Sequence, residues 1–236
     1  MRHFIFFLLL MPAIALSGAW QPLFNGQTLD GWIVKTAPQD TSQTFWRVVD
    51  GVIEANSLGS DEHDYVWLLT ENEYGDFELQ FEFQAFRNSP GNSGVQIRSR
   101  YDDEASWLDG PQIDIHPPDP WRTGMMWDET SEAKGWLTPK VPDGEWVTPD
   151  MAVPKRVFYY VDDEPAWNTM SVRAEGMHIT ATLNGVQILD YDGSGVLDDK
   201  IHQKYKVGQT GHIALQIHRN DELRIRFKDM KIKELN

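Results

Sequence analysis

The chain has 236 residues, no cysteine, 10 tryptophans and a formal net charge of −15. That length suits one β-rich domain with a sizeable core, and the missing cysteines exclude disulfides and thiolate chemistry. So acidic a chain repels phosphate backbones, which excludes nucleic acid as a partner and leaves a neutral ligand, a cation or plain solubility.

Arg2 is followed by an apolar run over residues 4–11 and by small residues over 13–19. This is the pattern of a signal peptide over residues 1–19, too short to span a bilayer comfortably. No later stretch could cross a membrane. A single exported domain, periplasmic or secreted, is therefore expected over residues 20–236. Asp50-Gly51 between Trp46-Arg47-Val48-Val49 and Val52-Ile53-Glu54-Ala55 predicts a tight hairpin. Residues 65–70 form an apolar strand. Phe77, Leu79, Phe81 and Phe83 then alternate with Glu78, Gln80, Glu82 and Gln84, as in a half-buried antiparallel strand. Strands follow over residues 95–100 and 110–116. Residues 117–154 are irregular and proline-rich, and they carry Trp121, Trp127, Trp136 and Trp146 with Asp128, Glu129 and Lys134. Ordered loops of that length tend to be functional. Asn184-Gly185 predicts a second hairpin. Residues 192–206 read as a polar loop, and strands over 211–218 and 223–232 close the chain. Many short strands and few helix signals predict an all-β fold, an antiparallel β-sandwich of jelly-roll type.

Three strands share one habit. Gln112, Asp114 and His116 alternate with Ile113 and Ile115; Gln96, Arg98 and Arg100 share a face; so do Gln216 and His218. Side chains two apart project to one side of a strand. If the three strands are neighbours, their polar faces merge into one patch, concave in a curved sheet and roofed by residues 117–154. Planar amide, carboxylate and guanidinium groups pair with adjacent hydroxyls, so the patch suits a polyhydroxylated ligand. It also suits proton transfer, because a carboxylate can orient a histidine that titrates near neutrality. Each residue alone is equally at home on a solvated face. Two histidines and Asp114 could hold a divalent metal, and loop carboxylates such as Asp102, Asp103 and Glu104 a calcium ion, although no close ligand-spacing motif is present. His63, His178, His202 and His212 lack matching neighbours and are expected at the surface or in turns.

Phe24-Asn25-Gly26 with Leu29-Asp30-Gly31-Trp32, Asn92-Ser93-Gly94-Val95-Gln96-Ile97-Arg98, Gly110-Pro111-Gln112-Ile113-Asp114-Ile115, residues 124–129, Trp167-Asn168, Leu183-Asn184-Gly185-Val186, Ile213-Ala214-Leu215-Gln216-Ile217-His218 and residues 225–235 together resemble the 3-keto-disaccharide hydrolase domain family. The resemblance runs in order over nearly the whole chain after residue 19. It implies a concanavalin-like jelly roll, export, and action on glycosides oxidised at carbon 3. It carries a site onto Asn92, Ser93, Arg98, Gln112, Asp114, Gln216 and His218. Pro111 and Met126-Trp127 depart from the family's usual residues.

The chemistry so implied needs no pair of carboxylates flanking the bond. A ketone at carbon 3 acidifies the carbon 2 hydrogen; a base removes it, a cation or metal stabilises the enolate, the glycosidic oxygen leaves carbon 1, and water adds. In this expectation His116 or His218 is the base, Asp114 orients it or binds a metal, and Arg98 faces the enolate. Gln96, Gln112, Gln216, Asn92, Ser93, Trp127, Asp128 and Glu129 contact the sugar. The alternatives are a non-catalytic carbohydrate-binding module on the same patch and an adhesion sandwich with that face flat.

Overall fold

The structure is a computed structural model that describes residues 18–142, 144–152 and 156–235. The signal peptide expected over residues 1–19 lies outside the described residues, save for its last two. The strands are β1 (Gln21–Pro22), β2 (Trp32–Thr36), β3 (Trp46–Val49), β4 (Val52–Asn56), β5 (Val66–Thr70), β6 (Phe77–Ala85), β7 (Ser93–Asp102), β8 (Trp107–Asp109), β9 (Pro111–Ile115), β10 (Met126–Asp128), β11 (Gly135–Thr138), β12 (Asn168–Glu175), β13 (His178–Leu183), β14 (Val186–Asp192), β15 (His212–Ile217) and β16 (Arg224–Glu234). A short helix, α1 (Lys200–Tyr205), precedes β15.

Both expected hairpins form, and for the stated reason. Val49 pairs with Val52 and Leu183 with Val186, so each loop has two residues. Asp50 and Gly51 have φ of 52° and 79°, and Asn184 and Gly185 have 51° and 77°. Two positive φ values in a two-residue loop match the right-handed twist of the flanking strands.

The strands form two antiparallel sheets. One runs β14-β13-β12-β6-β16-β4-β3, with β1 on β16; the other runs β11-β10-β9-β7-β15-β5-β2, with β8 on β7. The alternation on β6 decides its orientation: Phe77, Leu79, Phe81 and Phe83 are fully buried, while Glu78, Gln80 and Glu82 are half-buried. These rings meet Val95, Ile97, Ile113, Ile115, Leu215 and Ile217 from the second sheet in the main core. Each buried ring or branched chain contributes about 2 kcal/mol of transfer free energy. This is a jelly-roll β-sandwich, as the strand pattern predicts.

Two stretches differ from the expectation. Residues 117–154 are not all loop: β10 and β11 lie within them and extend the second sheet beside β9. Residues 192–206 hold α1, capped by Asp199, whose carboxylate accepts from the backbone N–H groups of Ile201 and His202. A helix of six residues is too short to leave a periodic signal.

Candidate active site

The second sheet carries a cavity of about 500 Å³ on its outer face, away from the main core. In the sheet β9, β7 and β15 are consecutive neighbours, so the three polar faces do lie side by side. Gln96 is opposite Gln112, Gly94 opposite Asp114, and Leu215 opposite Val95. Gly94 has a steric reason to be glycine. A Cβ there would stand 2.6 Å from the Gln112 side-chain carbonyl carbon, so its absence lets Gln112 lie across β7. Gln112 Nε2 then donates to Asp114 Oδ1 at 3.1 Å, and the other Asp114 oxygen accepts from Arg122 at 2.7 Å.

Among the residues expected at the site, Asn92, Gln112, Asp114, His116, Trp127, Glu129 and His218 line this cavity. The others do not. Arg98 is fully buried elsewhere: β7 is bulged against β15, Arg98 takes a φ of 50°, and the period-two expectation fails there. Its guanidinium bonds to the carbonyls of Gly75, Gly176 and Gly208 and to the Asp76 carboxylate. Arg98 is therefore an internal tie and not the cavity's cation. Gln96 and Gln216 lie fully buried in the sheet and do not reach the lining. The Ser93 hydroxyl is committed to the Gln216 carbonyl at 2.7 Å. Asp128 points to the opposite face from Trp127 and Glu129, and its carboxylate meets His202 Nε2 at 2.9 Å. That partner overturns another expectation, because His202 is buried in α1 and not at the surface or in a turn; His63 is also buried, in the connection between β4 and β5. Three lining groups were assigned no role from sequence: Lys134, Trp136 and Trp146. The sequence reading gives no site role to five more, Tyr65, Trp107, Arg122, Arg219 and Asp221. Arg219 and Asp221 lie one and three residues after His218, which is the available signal for them. Arg122 carried none, since only the turn after β9 brings it back onto Asp114.

Electrostatics separates the lining groups. Burial raises the Glu129 carboxyl, and the Asp114 charge adds to that; Lys134, a hydrogen bond from Trp127 and His218 oppose it, and the pKa settles at about 7. Partial desolvation against the cavity wall lowers the otherwise exposed Lys134, against the pull of Glu129 and Asp109. Its Nζ stands 3.3 Å from the centre of the Trp107 ring. Burial and the nearby Arg122 charge also lower His116, opposed by Asp114, Asp119 and Asp221. His116 Nδ1 accepts from the Asp119 N–H, so in the neutral ring Nε2 carries the proton. Trp127, Trp136 and Trp146 form one wall, with ring centres 5.1 to 5.7 Å apart. Arg122 lies 5.4 Å from both the Trp136 and Trp146 rings.

The divalent metal admitted from the sequence finds no cluster of three or more His, Asp or Glu side chains among the described residues. Asp114, its nearest candidate anchor, is already engaged by Arg122 and Gln112. What remains is a cavity with an aromatic wall, a fixed set of hydrogen-bonding groups and one buried carboxyl raised to about 7.

The chain belongs to the family of 3-keto-alpha-glucoside-1,2-lyase-like domains, whose model matches residues 19–233. No curated protein matches the chain. Solved structures share the fold. A protein of Parabacteroides distasonis, named as a candidate glycosyl hydrolase, superposes with a TM-score of 0.58 at 19% identity, over 92% of this chain and 94% of its own. The carbohydrate-binding module CBM66 of Bacillus subtilis gives 0.54 at 13%, over 86% and 96%. A B. subtilis protein of unknown function with a galectin-like fold gives 0.56 at 11%, over 87% and 90%.

Proposed function

We propose that the protein is an exported enzyme that cleaves glycosides carrying a ketone at carbon 3. The observation that carries this is Glu129, a buried carboxyl in the cavity whose pKa of about 7 suits a general base at neutral pH. Ordinary glycosidases place two free carboxyl groups on either side of the bond. Here the other two lining carboxylates are already engaged, Asp114 by Arg122 and Asp221 by the Asn92 N–H and His218. One base is enough where a ketone has acidified the neighbouring hydrogen.

In this reaction Glu129 takes the carbon 2 proton, replacing the histidines first expected in that role. The electron pair moves toward the carbon 3 oxygen, and the Lys134 ammonium stabilises the enolate, the part first expected of Arg98. The enolate then reforms the ketone, a double bond forms between carbons 1 and 2, and the glycosidic oxygen departs. Addition of water to that double bond completes a net hydrolysis. Gln112, Asp114, Arg122 and His116 offer a fixed set of donors and acceptors for sugar hydroxyls, and the tryptophan wall offers a stacking face. The family match and the sugar-related fold neighbours support a glycoside as substrate. The signal-like residues 1–19 support export. Among the described residues no helix is long and apolar enough to cross a membrane.

The test is incubation in deuterated buffer with 3-keto-α-glucosides and with their parent glucosides, with and without a chelator. Aglycone release and carbon 2 hydrogen exchange are expected from the 3-keto compounds alone, and the chelator should change neither. Sugar binding with neither release nor exchange would make the protein a carbohydrate-binding module instead.

A further inference from the structure

The cavity holds a second set of proton-carrying groups that this reaction has not used. Tyr65, just before β5, turns its hydroxyl to His218 Nε2 at 3.0 Å. His218 Nδ1 faces the Arg219 carbonyl at 3.0 Å and Asp221 Oδ2 at 3.4 Å. A carbonyl only accepts, so Nδ1 carries a proton and, in the neutral ring, Nε2 is the acceptor for Tyr65 O–H. Asp221 is itself fixed by the Asn92 N–H at 2.8 Å. The tyrosine ring is fixed as firmly. It stacks on Trp67 at 5.3 Å and meets Trp107 edge-on at 5.0 Å.

A hydroxyl, an imidazole and a carboxylate in line form a relay, and all three line the cavity together with Glu129. Elimination from carbon 1 leaves an alkoxide unless something protonates the departing oxygen. By then Glu129 carries the proton it took at carbon 2, and an acid placed elsewhere in the cavity can serve the departing oxygen without Glu129 having to move to it.

We propose that Tyr65, backed by His218 and Asp221, is the acid that protonates the departing glycosidic oxygen. This rests on the elimination reading above. The step balances. With His218 protonated, its Nε2–H donates to the Tyr65 oxygen while Tyr65 O–H transfers to the leaving oxygen as the bond to carbon 1 breaks. His218 ends neutral and Tyr65 ends with its hydroxyl restored. The product alcohol carries the tyrosine's former proton, and solvent reprotonates His218 for the next turnover. Asp221 stabilises the imidazolium until its proton passes to Tyr65. Tyr65 is thus a catalytic residue, and His218 and Asp221 are positioning residues that act through it.

The test compares two leaving groups. A 4-nitrophenoxide departs without help, whereas an alkoxide needs its proton. Tyr65→Phe keeps the ring and its stacking. It should lower turnover of methyl 3-keto-α-glucoside about a hundredfold, the usual scale of general acid catalysis, and that of the 4-nitrophenyl compound no more than about threefold. His218→Gln and Asp221→Asn should show the same selectivity, which a merely structural role would not produce. Carbon 2 hydrogen exchange should persist in all three variants. Exchange retained with equal losses on both leaving groups overturns the relay and leaves the elimination standing. No exchange in the unaltered protein overturns the elimination, and the relay falls with it. If a variant fails to fold, the dependence of the unaltered protein's rate on leaving-group acidity decides: a steep dependence overturns the relay and a shallow one supports it.

Discussion

Glu54 and Glu129 lie on the outer faces of the two sheets, 1% and 6% exposed, and their environments push them in opposite directions. Glu54 projects from β4 away from the core formed by Ile53 and Ala55. Burial alone would raise its carboxyl. Hydrogen bonds from Arg47 at 2.6 Å, Arg226 at 2.8 Å and Arg224 at 3.0 Å outweigh that and hold it at about 2. Glu129 is as secluded but is not clamped by a guanidinium, and burial lifts it to about 7. The first glutamate is held as an anion down to strongly acidic pH and joins β3, β4 and β16. The second is left able to gain and lose a proton. Seclusion alone does not mark a functional charge; seclusion without full neutralisation does.

The largest effect that would break this contrast is at Glu129. Glu129→Gln keeps the shape and removes the titration. Turnover of a 3-keto-glucoside should fall by about a thousandfold or more, the scale expected for losing a general base. Stability should move the other way. A carboxyl raised from 4.5 to about 7 opposes folding as it ionises, so its effect is absent below the unfolded value and grows as pH rises toward 7. Chemical denaturation at pH 8 should find the variant more stable by about 2 kcal/mol, with the gain vanishing near pH 4. A variant that loses activity without gaining stability would mean that Glu129 is paired after all.

Glu54→Gln should do the reverse. Removing the clamped charge leaves three arginines facing one another, and stability should fall by about 2 kcal/mol, below the cost for a fully buried pair because the arginines reach solvent. Activity per folded molecule should be unchanged. The pH sense is also opposite. A carboxyl lowered to about 2 stabilises above its unfolded value and loses that contribution as pH falls through 2. Denaturation curves of the two proteins should therefore converge on acidification. A gap that persists at pH 2 would assign the loss to packing and not to charge.

What the sequence could reveal divides along similar lines. The hairpins at Asp50-Gly51 and Asn184-Gly185 and the alternation on β6 were legible because each depends on residues within a few positions. The polar faces of β9 and β15 were legible for the same reason. Arg98 was misplaced because a bulge, set by pairing with β15, breaks the alternation without a residue that announces it. The expectation that both Asp128 and Glu129 contact the sugar fails because a strand sends adjacent side chains to opposite faces, one to His202 and one to the cavity. Tyr65 and Arg122 reach the site from a strand start and a turn. Their roles depend on tertiary neighbours, which no local pattern encodes.

The smallest expected effect concerns the aromatic wall. Trp146 is 56% exposed, the most open of the three rings, and it packs 5.2 Å from Trp136. Little of it is withdrawn from water on folding, so Trp146→Ala should change stability by no more than about 0.5 kcal/mol. Its share in sugar binding is one stacking face, on the order of 1 kcal/mol. A wall that binds ground state and transition state alike raises KM when removed and leaves kcat alone. KM for a 3-keto-glucoside should rise about fivefold at constant kcat. A fall in kcat at unchanged KM would instead place Trp146 against the reacting atoms. The contrast would then need redrawing, with the chemistry extending outward from Glu129 and Lys134 to the open edge of the cavity.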